Sequence, residues 1–574
     1  MKNAEIARMF QAMADVMEIK GENPFRVNSY RNAARVISDL AEDVAAVAAR
    51  GELTGLPGVG EGTAGKIEQY LAEGRMDAYE ELTEGFPVGV LELLRIPGMG
   101  PKTVAKLMDE RDVRSLDDLE KALQGGELED VPGMRAKTIR KIRAGLDLVR
   151  RSQGRTLLGE ALPLAHEVIE GLRARVKLDG AEAAGSLRRR KETVGDIDIL
   201  VNSRAGDAEG VIEAFAGLDC ASEVLAAGGT RGSIRTGQGL QVDLRVVPPE
   251  SWGAALVYFT GSKAHNVKIR GLAHERGLKI NEYGVFRGEE RVAGATEEDV
   301  YATLGLPWIP PELREDRGEV EAAAAGALPG LIGPEDVLGD LHAHTNYSDG
   351  VLAPLDMARA AKAYGYRYIA LTDHSKNLRI AGGLTEERLA RRNDEIDAAR
   401  AALKGFTILK GTEVDILKDG SLDYSDEVLA ALDWVVASVH DHFGMSEKDM
   451  TERIVRAARS PHVDCIGHLT GRLIGTREGY AVDASAVLAA CAETGTCLEL
   501  NAQPDRLDIT DLVCREAAQA GVKVALGSDA HSAESLRLMQ FGIATARRGW
   551  LGPEDAINHL TAARLRKFLA SRKG

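Results

Sequence analysis

Seven apolar runs in the C-terminal part of the chain constrain its fold more than any other feature of the sequence. Each run is followed by a residue of a metal-binding type and then by a stretch with helical periodicity. The runs are residues 337–341, 368–371, 406–409, 434–439, 463–466, 497–500 and 522–526. Seven repeats of strand, polar end and helix predict a distorted (β/α)7 barrel. Since the carboxyl ends of barrel strands form one face, we expect the polar residues to meet there.

Nine candidate metal ligands follow these runs. They are His342, His344, Asp349, His374, Glu413, His440, His468, Asp529 and His531. Nine side chains suffice for up to three metal ions at about three protein ligands each, which leaves positions open for water and substrate. Imidazole and carboxylate without thiolate suit Zn²⁺, Mn²⁺ or Fe²⁺, and the residue types do not choose among these ions.

A second concentration of chemistry lies in residues 185–200, which read GSLRRRKETVGDIDIL. Asp196 and Asp198 are two apart in an apolar run, so in a strand both carboxylates point to the same side. Asp243 lies in another alternating stretch, residues 241–247. Three acids on neighbouring strands can hold two Mg²⁺ or Mn²⁺ ions, which catalyse phosphoryl transfer.

Residues just upstream of these acids are of the type that binds phosphate. Gly185 and Ser186 allow backbone N–H groups to approach a polyphosphate, and Arg188 supplies charge-assisted hydrogen bonds. An isolated Asp-x-Asp pair is more often a solvated strand end. The glycine and serine upstream favour a nucleotidyl-transfer site instead.

Glycine hairpins recur in the N-terminal part of the chain. Residues 56–60 (LPGVG) and 96–100 (IPGMG) each precede an amphipathic helical stretch, and residues 131–135 (VPGMR) have lost the second glycine. The motifs resemble helix-hairpin-helix units, in which glycines let the backbone approach a DNA phosphate. Such contacts position DNA without reading its sequence. The predicted DNA-binding residues are Gly58, Gly60, Gly98 and Gly100.

Together, these motifs resemble the family X DNA polymerases, the repair group that includes DNA polymerase beta. The barrel motifs DLHAH (340–344), SDG (348–350), TDH (372–374) and SDAH (528–531) resemble the polymerase and histidinol phosphatase (PHP) domain. The fusion matches bacterial and archaeal members over nearly the full length. It implies a DNA-directed polymerase that fills short gaps in repair of the base-excision type. It also implies that the barrel is a metal-dependent 3′–5′ exonuclease and, as in some members, an abasic-site endonuclease.

The strings YFTGS (258–262) and GLKINEY (277–283) resemble the nucleotide-selecting subdomain of that family. The resemblance implies catalytic roles for Asp196, Asp198 and Asp243. It implies nucleotide binding by Gly185, Ser186, Arg188, Gly195, Tyr258, Phe259, Gly261, Asn266 and Arg270. Gln241 departs from the pattern, because polymerase beta has an arginine there, and any help that arginine gives to the third carboxylate is expected to be absent.

The same resemblance distributes the barrel ligands among three ions. It places His342, His344, Glu413 and Asp529 around one ion, Glu413, His440 and His468 around a second, and Asp349, His374 and His531 around a third. A glutamate that bridges two ions is a feature of metal-assisted phosphoester hydrolysis.

Residues 23–34 resemble the lyase domain of family X, and Lys66 falls where that family has its Schiff-base lysine. A nucleophilic lysine needs a depressed pKa, and Gly62 stands where the family has a nearby lysine. Lys66 is therefore a possible lyase nucleophile. A surface lysine that contacts phosphate is the alternative.

These assignments predict a multidomain chain with helix-hairpin-helix domains, an α+β nucleotidyltransferase palm and the C-terminal barrel. The predicted segments are a lyase-like domain (1–85), a second helix-hairpin-helix domain (86–154), the palm (155–255), a nucleotide-selecting subdomain (256–317), a linker (318–335) and the PHP barrel (336–574).

Composition limits the partners and the compartment. No apolar run is long enough to span a bilayer, the N-terminus lacks a signal-peptide core, and five cysteines are scattered without a Cys-x-x-Cys pair. We expect a monomer in the cytoplasm, associated with the nucleoid and not with a membrane. A net charge of −16 does not exclude DNA, because binding depends on local faces and on bound cations. The expected partners are gapped duplex or primer–template DNA and deoxynucleoside triphosphates.

Four alternatives stay open at this level. In the first, the palm is a template-independent nucleotidyltransferase. In the second, the barrel is a structural support without activity, and in the third it is a phosphatase of small phosphate esters. In the fourth, the chain is chiefly a binding protein.

Overall fold

The computed structural model describes residues 2–38, 44–56, 58–94, 96, 99–152, 154–203 and 207–572. The chain divides into two compact units. The first comprises Met1–Gln153, Leu473–Gly479 and Ser532–Ser535, and the second comprises Gly154–Arg472, Tyr480–His531 and Leu536–Gly574. Among the described residues, no helix has both the length and the apolar character needed to cross a membrane.

The first unit is helical. Its helices are α1 (Lys2–Ile19), α2 (Pro24–Ser38), α3 (Val44–Ala49), α4 (Glu61–Glu73), α5 (Asp77–Thr83), α6 (Val88–Leu93), α7 (Pro101–Arg111), α8 (Leu116–Gln124) and α9 (Ala136–Ser152). Leu116, Leu119 and Leu123 show why such segments form helices, since their spacing puts all three on one buried face of α8. Ser115 begins α8 as an N-cap that accepts from the Asp118 N–H.

The palm opens the second unit. Its strands are β1 (Thr156–Leu157), β2 (Gly180–Ala183), β3 (Thr193–Val194), β4 (Ile197–Asn202), β5 (Ala221–Gly228), β6 (Arg231–Thr236) and β7 (Gln241–Val247). Its helices are α10 (Leu158–Arg175), α11 (Gly185–Arg188) and α12 (Ala208–Ala216). Five strands form one sheet in the order β2-β4-β7-β6-β5, in which β4 and β7 are parallel. The pairing of β4 with β7 brings two acid-bearing strands side by side.

The segment after the palm, here called the thumb, contains α13 (Trp252–Thr260), α14 (Lys263–Glu275), β8 (Lys279–Asn281), β9 (Gly284–Arg287), β10 (Glu290–Ala293) and α15 (Glu297–Thr303). Its three strands form an antiparallel sheet. The predicted linker that follows is ordered and packed, and it carries α16 (Glu319–Ala324). Val320 and Ala323 join the thumb core, and the buried Glu319 contacts His265 at 2.7 Å. An alanine-rich composition here reflects a helix and not a loose connection.

The barrel closes the chain. Its strands are β11 (Gly339–Asp340), β12 (Tyr368–Leu371), β13 (Thr407–Asp415), β14 (Trp434–Ser438), β15 (Cys465–Ile466), β16 (Cys497–Asn501) and β17 (Val524–Gly527). Its helices are α17 (Pro354–Tyr364), α18 (Glu386–Ala402), α19 (Asp426–Ala430), α20 (Glu447–Ala458), α21 (Ala484–Thr494), α22 (Asp511–Gln519), α23 (Met539–Arg548) and α24 (Ala562–Arg572).

These seven strands are all parallel and lie in sequence order. A bridge between Ala343 and Ala530 links the residues that follow the first and last strands. The predicted (β/α)7 barrel is therefore confirmed, and each predicted apolar run overlaps one strand. The carboxyl ends of the strands share one face, as a parallel barrel requires.

Candidate active sites in the palm and the barrel

The palm brings the predicted carboxylates to adjacent strands. Asp198 in β4 pairs in parallel register with Asp243 in β7, and Asp196 is exposed just before β4. Asp198 and Asp243 line a cavity of about 270 Å³, together with Arg245 and Phe259. Burial, followed by the charges of Asp196 and Asp243, raises the pKa of Asp198 to about 6. Like charges held this close favour a bound cation.

Glycine at position 185 allows the backbone to approach this cluster. Gly185 has a left-handed φ of 58°, and a Cβ placed on it would collide with Oδ2 of Asp198. Helix α11 starts at this residue, and Ser186 follows it in the same turn. A side chain at position 185 would displace the Asp198 carboxylate, so the close approach explains the glycine.

Gln241 is a hydrogen-bond donor to the third carboxylate. Its Nε2 lies 3.0 Å from each carboxylate oxygen of Asp243. The position that departs from the family pattern therefore still contacts Asp243, but through a neutral amide and not through a guanidinium charge.

Arg188 makes a partly buried ion pair in this structure. Its guanidinium donates to both carboxylate oxygens of Glu297, at 2.8 and 2.9 Å, and to the Thr260 hydroxyl at 2.8 Å. The neighbouring Arg189 donates to Glu315 at 3.0 Å and to the Thr260 carbonyl at 2.5 Å. Both arginines thus fasten α11 to the thumb. Contact of Arg188 with a triphosphate stays a prediction.

We expect Glu297→Ala to lower the free energy of unfolding by roughly 3–5 kcal/mol, because it leaves the half-buried Arg188 and the fully buried Arg314 guanidinium groups without their carboxylate. Burial alone would raise the pKa of Glu297, but hydrogen bonds and charges from the two arginines lower it to about 2 from an ordinary value of 4.5. The stabilisation is therefore full above pH 4.5 and is lost as the pH falls towards 2.

Denaturant unfolding at pH 7 and at pH 3 measures both effects. Glu298→Ala is the matched control, since Glu298 is the exposed neighbour of Glu297 and its removal should cost less than about 0.5 kcal/mol. Equal stability of Glu297→Ala and the parent at pH 7 would contradict the role assigned to this carboxylate.

The predicted nucleotide-selecting residues form a connected set on α13 and α14. The rings of Tyr258 and Phe259 meet edge to face with centroids 5.0 Å apart. Asn266 donates to the Tyr258 carbonyl at 2.7 Å, and Arg270 donates to the Asn266 carbonyl at 3.1 Å. Arg245 lies over the Phe259 ring at 4.4 Å, which joins this set to the palm cavity. Gly261 has a left-handed φ of 69°, and Gly195 is exposed next to Asp196.

The hairpin glycines precede helices in the first unit. Gly60 and Gly100 are extended N-caps of α4 and α7, and a Cβ on either would point into open space. Gly58 has a left-handed φ of 81°, and Gly98 lies outside the described residues. A helix N-terminus whose backbone N–H groups are not covered by side chains can bind a phosphate. Lys66, the possible lyase nucleophile, donates to the Gly62 carbonyl at 2.8 Å.

In the barrel, eight of the nine predicted ligands fall into three groups whose ligand atoms lie within 4.8 Å of one another. The groups are His342, His344 and Asp529; His344, Asp349, His374 and His531; and His374, Glu413 and His440. The ninth, His468, contacts Glu413 at 2.8 Å through Nε2. Strand ends from across the barrel supply these side chains, so the fold itself assembles the site.

Glu413 is the centre of these groups. It is 1% exposed, and its carboxylate also lies near His440 at 3.2 Å and near His342 at 3.4 Å. Burial would raise its pKa, but the charges of His374, His440 and His342 hold it well below the usual range. A buried carboxylate kept ionised among imidazoles is suited to bridging two metal ions.

Several ring nitrogens in this site face carboxylates of the metal-binding groups, as Nε2 of His344 faces Asp529 at 3.1 Å. Within the described residues, Nε2 of His342 and both ring nitrogens of His344 are buried without a hydrogen bond. Burial, together with the charges of His531 and His374, lowers the pKa of His344 to about 4, so this imidazole is neutral at pH 7. Neutral imidazole with a free nitrogen is the form that binds metal. The residues present therefore fit divalent ions.

Two buried carboxylates that sequence reasoning missed orient the histidines. Glu499 lies 2.5 Å from Nδ1 of His342, and Asp415 lies 2.6 Å from Nδ1 of His440. Each contact fixes the ring and leaves Nε2 facing the metal-binding groups. The available signal was a single acid within a buried apolar strand, as in CLELN of β16.

Family models match four parts of the chain. They are a helix-hairpin-helix domain (1–76), a SAM-like helix-hairpin-helix tandem (90–147), the DNA polymerase beta thumb (255–315) and the PHP domain (340–503).

Whole-protein comparisons agree with these matches. The chain is 39% identical over 573 residues to the DNA polymerase/3′–5′ exonuclease PolX of Bacillus subtilis (strain 168), covering 99% of both proteins. It is 26% identical over 342 residues to DNA polymerase lambda of Rattus norvegicus, covering 54% of this chain and 56% of that protein. A probable phosphatase of Thermoanaerobacter sp. (strain X514) is 29% identical over 245 residues, which are 41% of this chain and 95% of the phosphatase.

Proposed function

The chain belongs to the family X DNA polymerases that carry a C-terminal PHP domain, and we propose that it fills short gaps during DNA repair and trims 3′ ends with its barrel. The observation that carries the first activity is the parallel register of Asp198 and Asp243 beside Gly185. The three groups of histidines and carboxylates at the barrel face support the second.

In the palm, Asp196, Asp198 and Asp243 would hold two Mg²⁺ or Mn²⁺ ions. The backbone at Gly185 and Ser186 would bind the triphosphate of the incoming deoxynucleotide, and Asp243 would face the primer 3′-hydroxyl. On the thumb, Tyr258 and Phe259 would pack against the sugar, Asn266 would contact the base, and Arg270 would approach the template. Arg188 would hold α11 in place through Glu297.

In the barrel, the nine ligands would hold up to three Zn²⁺, Mn²⁺ or Fe²⁺ ions. When bound, the ions in both sites supply Lewis-acid stabilisation of phosphate charge and a lowered pKa for water. Glu499 and Asp415 would keep His342 and His440 in the tautomer that presents Nε2. Glu413 and His344 are 1% and 0% exposed, so bulk water does not reach these two side chains.

The proposed substrates are gapped duplex or primer–template DNA and deoxynucleoside triphosphates, with the protein acting as a monomer in the cytoplasm at the nucleoid. The hairpins of the first unit would hold the DNA backbone. Lyase activity of Lys66 and cleavage at abasic sites stay predictions. A phosphatase of small esters is the second candidate for the barrel, because the barrel region is similar to probable phosphatases.

Primer extension on a gapped duplex with each nucleotide supplied alone tests the proposal. We expect incorporation to follow the template base, because the selecting residues lie beside the palm cavity. Incorporation without regard to the template would identify a template-independent transferase. Release of mononucleotides from a 3′-labelled strand tests the barrel, and hydrolysis of a small ester without attack on DNA would favour the phosphatase.

Removal of metal should destabilise the barrel. An ion that binds only the folded state, at a free concentration of a hundred times its Kd, raises the free energy of unfolding by about 2.7 kcal/mol. For a domain of this size, that corresponds to a rise in Tm of about 5–10 °C. We expect a chelator to lower Tm and Mn²⁺ or Zn²⁺ to restore it, whereas Glu413→Gln should remove the response. An unchanged Tm for the parent protein after complete chelation would contradict metal binding by the barrel.

A further inference from the structure

A cavity of about 350 Å³ lies between the palm and the barrel, within the second unit. Its palm wall is the loop from α11 to β3, and its barrel wall is formed by the start of α22 and by α23. The charged residues that line it are Arg155, Arg190, Lys191, Glu192, Arg317, Asp511 and Arg548. The three palm acids and the nine barrel ligands are not among its lining residues, so the cavity is separate from both candidate active sites. Its volume falls within the range of small-molecule sites.

The two carboxylates of this cavity are already paired. Asp511 accepts hydrogen bonds from Arg317 at 2.9 Å and from Arg548 at 2.8 Å. Glu192 accepts from Arg472 at 2.8 Å. Five cationic side chains therefore line the cavity against two carboxylates, and only Asp511 is paired within this set, with Arg317 and Arg548. The cavity has a net positive charge.

Two of its cations have no protein partner. Within the described part of the chain, neither Arg190 nor Lys191 makes a side-chain hydrogen bond or an ion pair within 4.0 Å. Arg190 also has a left-handed φ of 56°, which is unfavourable for a residue with a Cβ. Burial lowers the pKa of its guanidinium, and the more distant Glu312 and Glu182 only oppose that shift. An unpaired, partly desolvated cation in a strained loop is costly unless it serves a ligand.

We propose that this cavity binds a phosphate group of a nucleotide, held either in a DNA strand or in a free mononucleotide. Guanidinium and ammonium groups form charge-assisted hydrogen bonds with phosphate. The position suits this ligand for two reasons. On the palm side, the lining residue Thr193 is three residues before Asp196. On the barrel side, the lining residues Thr510 and Asp511 come directly after the segment of Asp508, whose backbone is hydrogen-bonded to Asn501 of β16. A phosphate there lies beside the palm loop that leads to Asp196 and beside the barrel segment that is bonded to β16. The inference rests on the proposed function, since it takes DNA or its hydrolysis product as the ligand.

Arg190→Gly tests the proposal with little risk to folding, because glycine suits the left-handed backbone at this position. Binding of a fluorescent single-stranded oligothymidylate and of dTMP is measured on the full chain in the His344→Ala background, so that the strand is not degraded. We expect affinity for the strand to fall roughly tenfold and the slope of log K against log salt to shrink by about 0.7. Arg190→Lys should retain the slope, because it keeps the charge. Arg359→Gln, at an exposed arginine on α17, is the matched control.

Loss of affinity and slope for the oligonucleotide identifies a strand phosphate as the ligand, and loss for dTMP alone identifies a free nucleotide. Either result supports the site. Unchanged binding of both probes by Arg190→Gly overturns it. Failure of the parent chain to extend a primer or to degrade DNA would instead overturn the proposed function, and the binding measurement stays interpretable in that case.

Discussion

Asp198→Asn abolishes nucleotide addition, with an expected loss of roughly 10³-fold or more in the rate of gap filling. Catalytic metal ions contribute several kcal/mol of transition-state stabilisation, and each 1.36 kcal/mol is a factor of ten in rate. Asp198 pairs in register with Asp243 and is close enough to feel the charge of Asp196, so loss of its own charge should weaken the site for both ions. Single-turnover extension of a gapped duplex at saturating nucleotide measures the loss.

The substitution keeps the shape of the side chain, so DNA binding and degradation of a 3′-labelled strand should continue. Asp179→Asn provides the matched control, because Asp179 is an exposed aspartate of the palm that does not line the active-site cavity. Extension by Asp198→Asn at a rate near that of Asp179→Asn would remove Asp198 from the polymerase site.

His344→Ala abolishes 3′–5′ degradation, again by roughly 10³-fold or more. His344 belongs to two of the three metal-binding groups, and it is 0% exposed with its Nε2 3.1 Å from Asp529. Its removal therefore affects two ions and not one. Metal content per chain should fall together with the nuclease rate, which separates loss of the metal site from loss of substrate binding.

His462→Ala is the control for this change, since His462 lies on the same barrel and outside the three groups. It should retain both the metal and the nuclease activity. Template-directed extension by His344→Ala should also persist and shows that the variant is folded. Full nuclease activity in His344→Ala would assign the degradation to another part of the chain.

The barrel was predictable because its signals are local. Each strand is a short apolar run, and ligands such as His342 and His440 stand directly after one. Glu413 was harder to place, because β13 continues to Asp415 and carries Glu413 within the strand. Since a parallel barrel gathers strand ends, the proximity of these side chains could be predicted from sequence even where the strand boundary could not.

Long-range pairs were not predictable. Arg188 and Glu297 are 109 residues apart, and Arg188 has the residue type and position of a phosphate ligand. Only the folded structure, which brings Arg188 to Glu297 at the start of α15, reveals that the arginine is paired. Glu499 and Asp415 are similar cases. The apolar runs around them indicate that both lie in buried strands, but they do not indicate that Glu499 contacts His342 or that Asp415 contacts His440. The contact of Glu319 with His265 is also long-range, so the sequence did not indicate that the segment predicted as a linker is packed.

A single reaction tests the central claim that this chain carries two independent active sites. A gapped duplex labelled at the primer 5′ end is incubated with divalent metal and the four nucleotides, using the parent chain, Asp198→Asn, His344→Ala and the double variant. We predict that Asp198→Asn only shortens the primer, that His344→Ala only extends it, and that the double variant leaves it unchanged. Loss of both activities in either single variant, with its metal content and folding intact, would contradict the account.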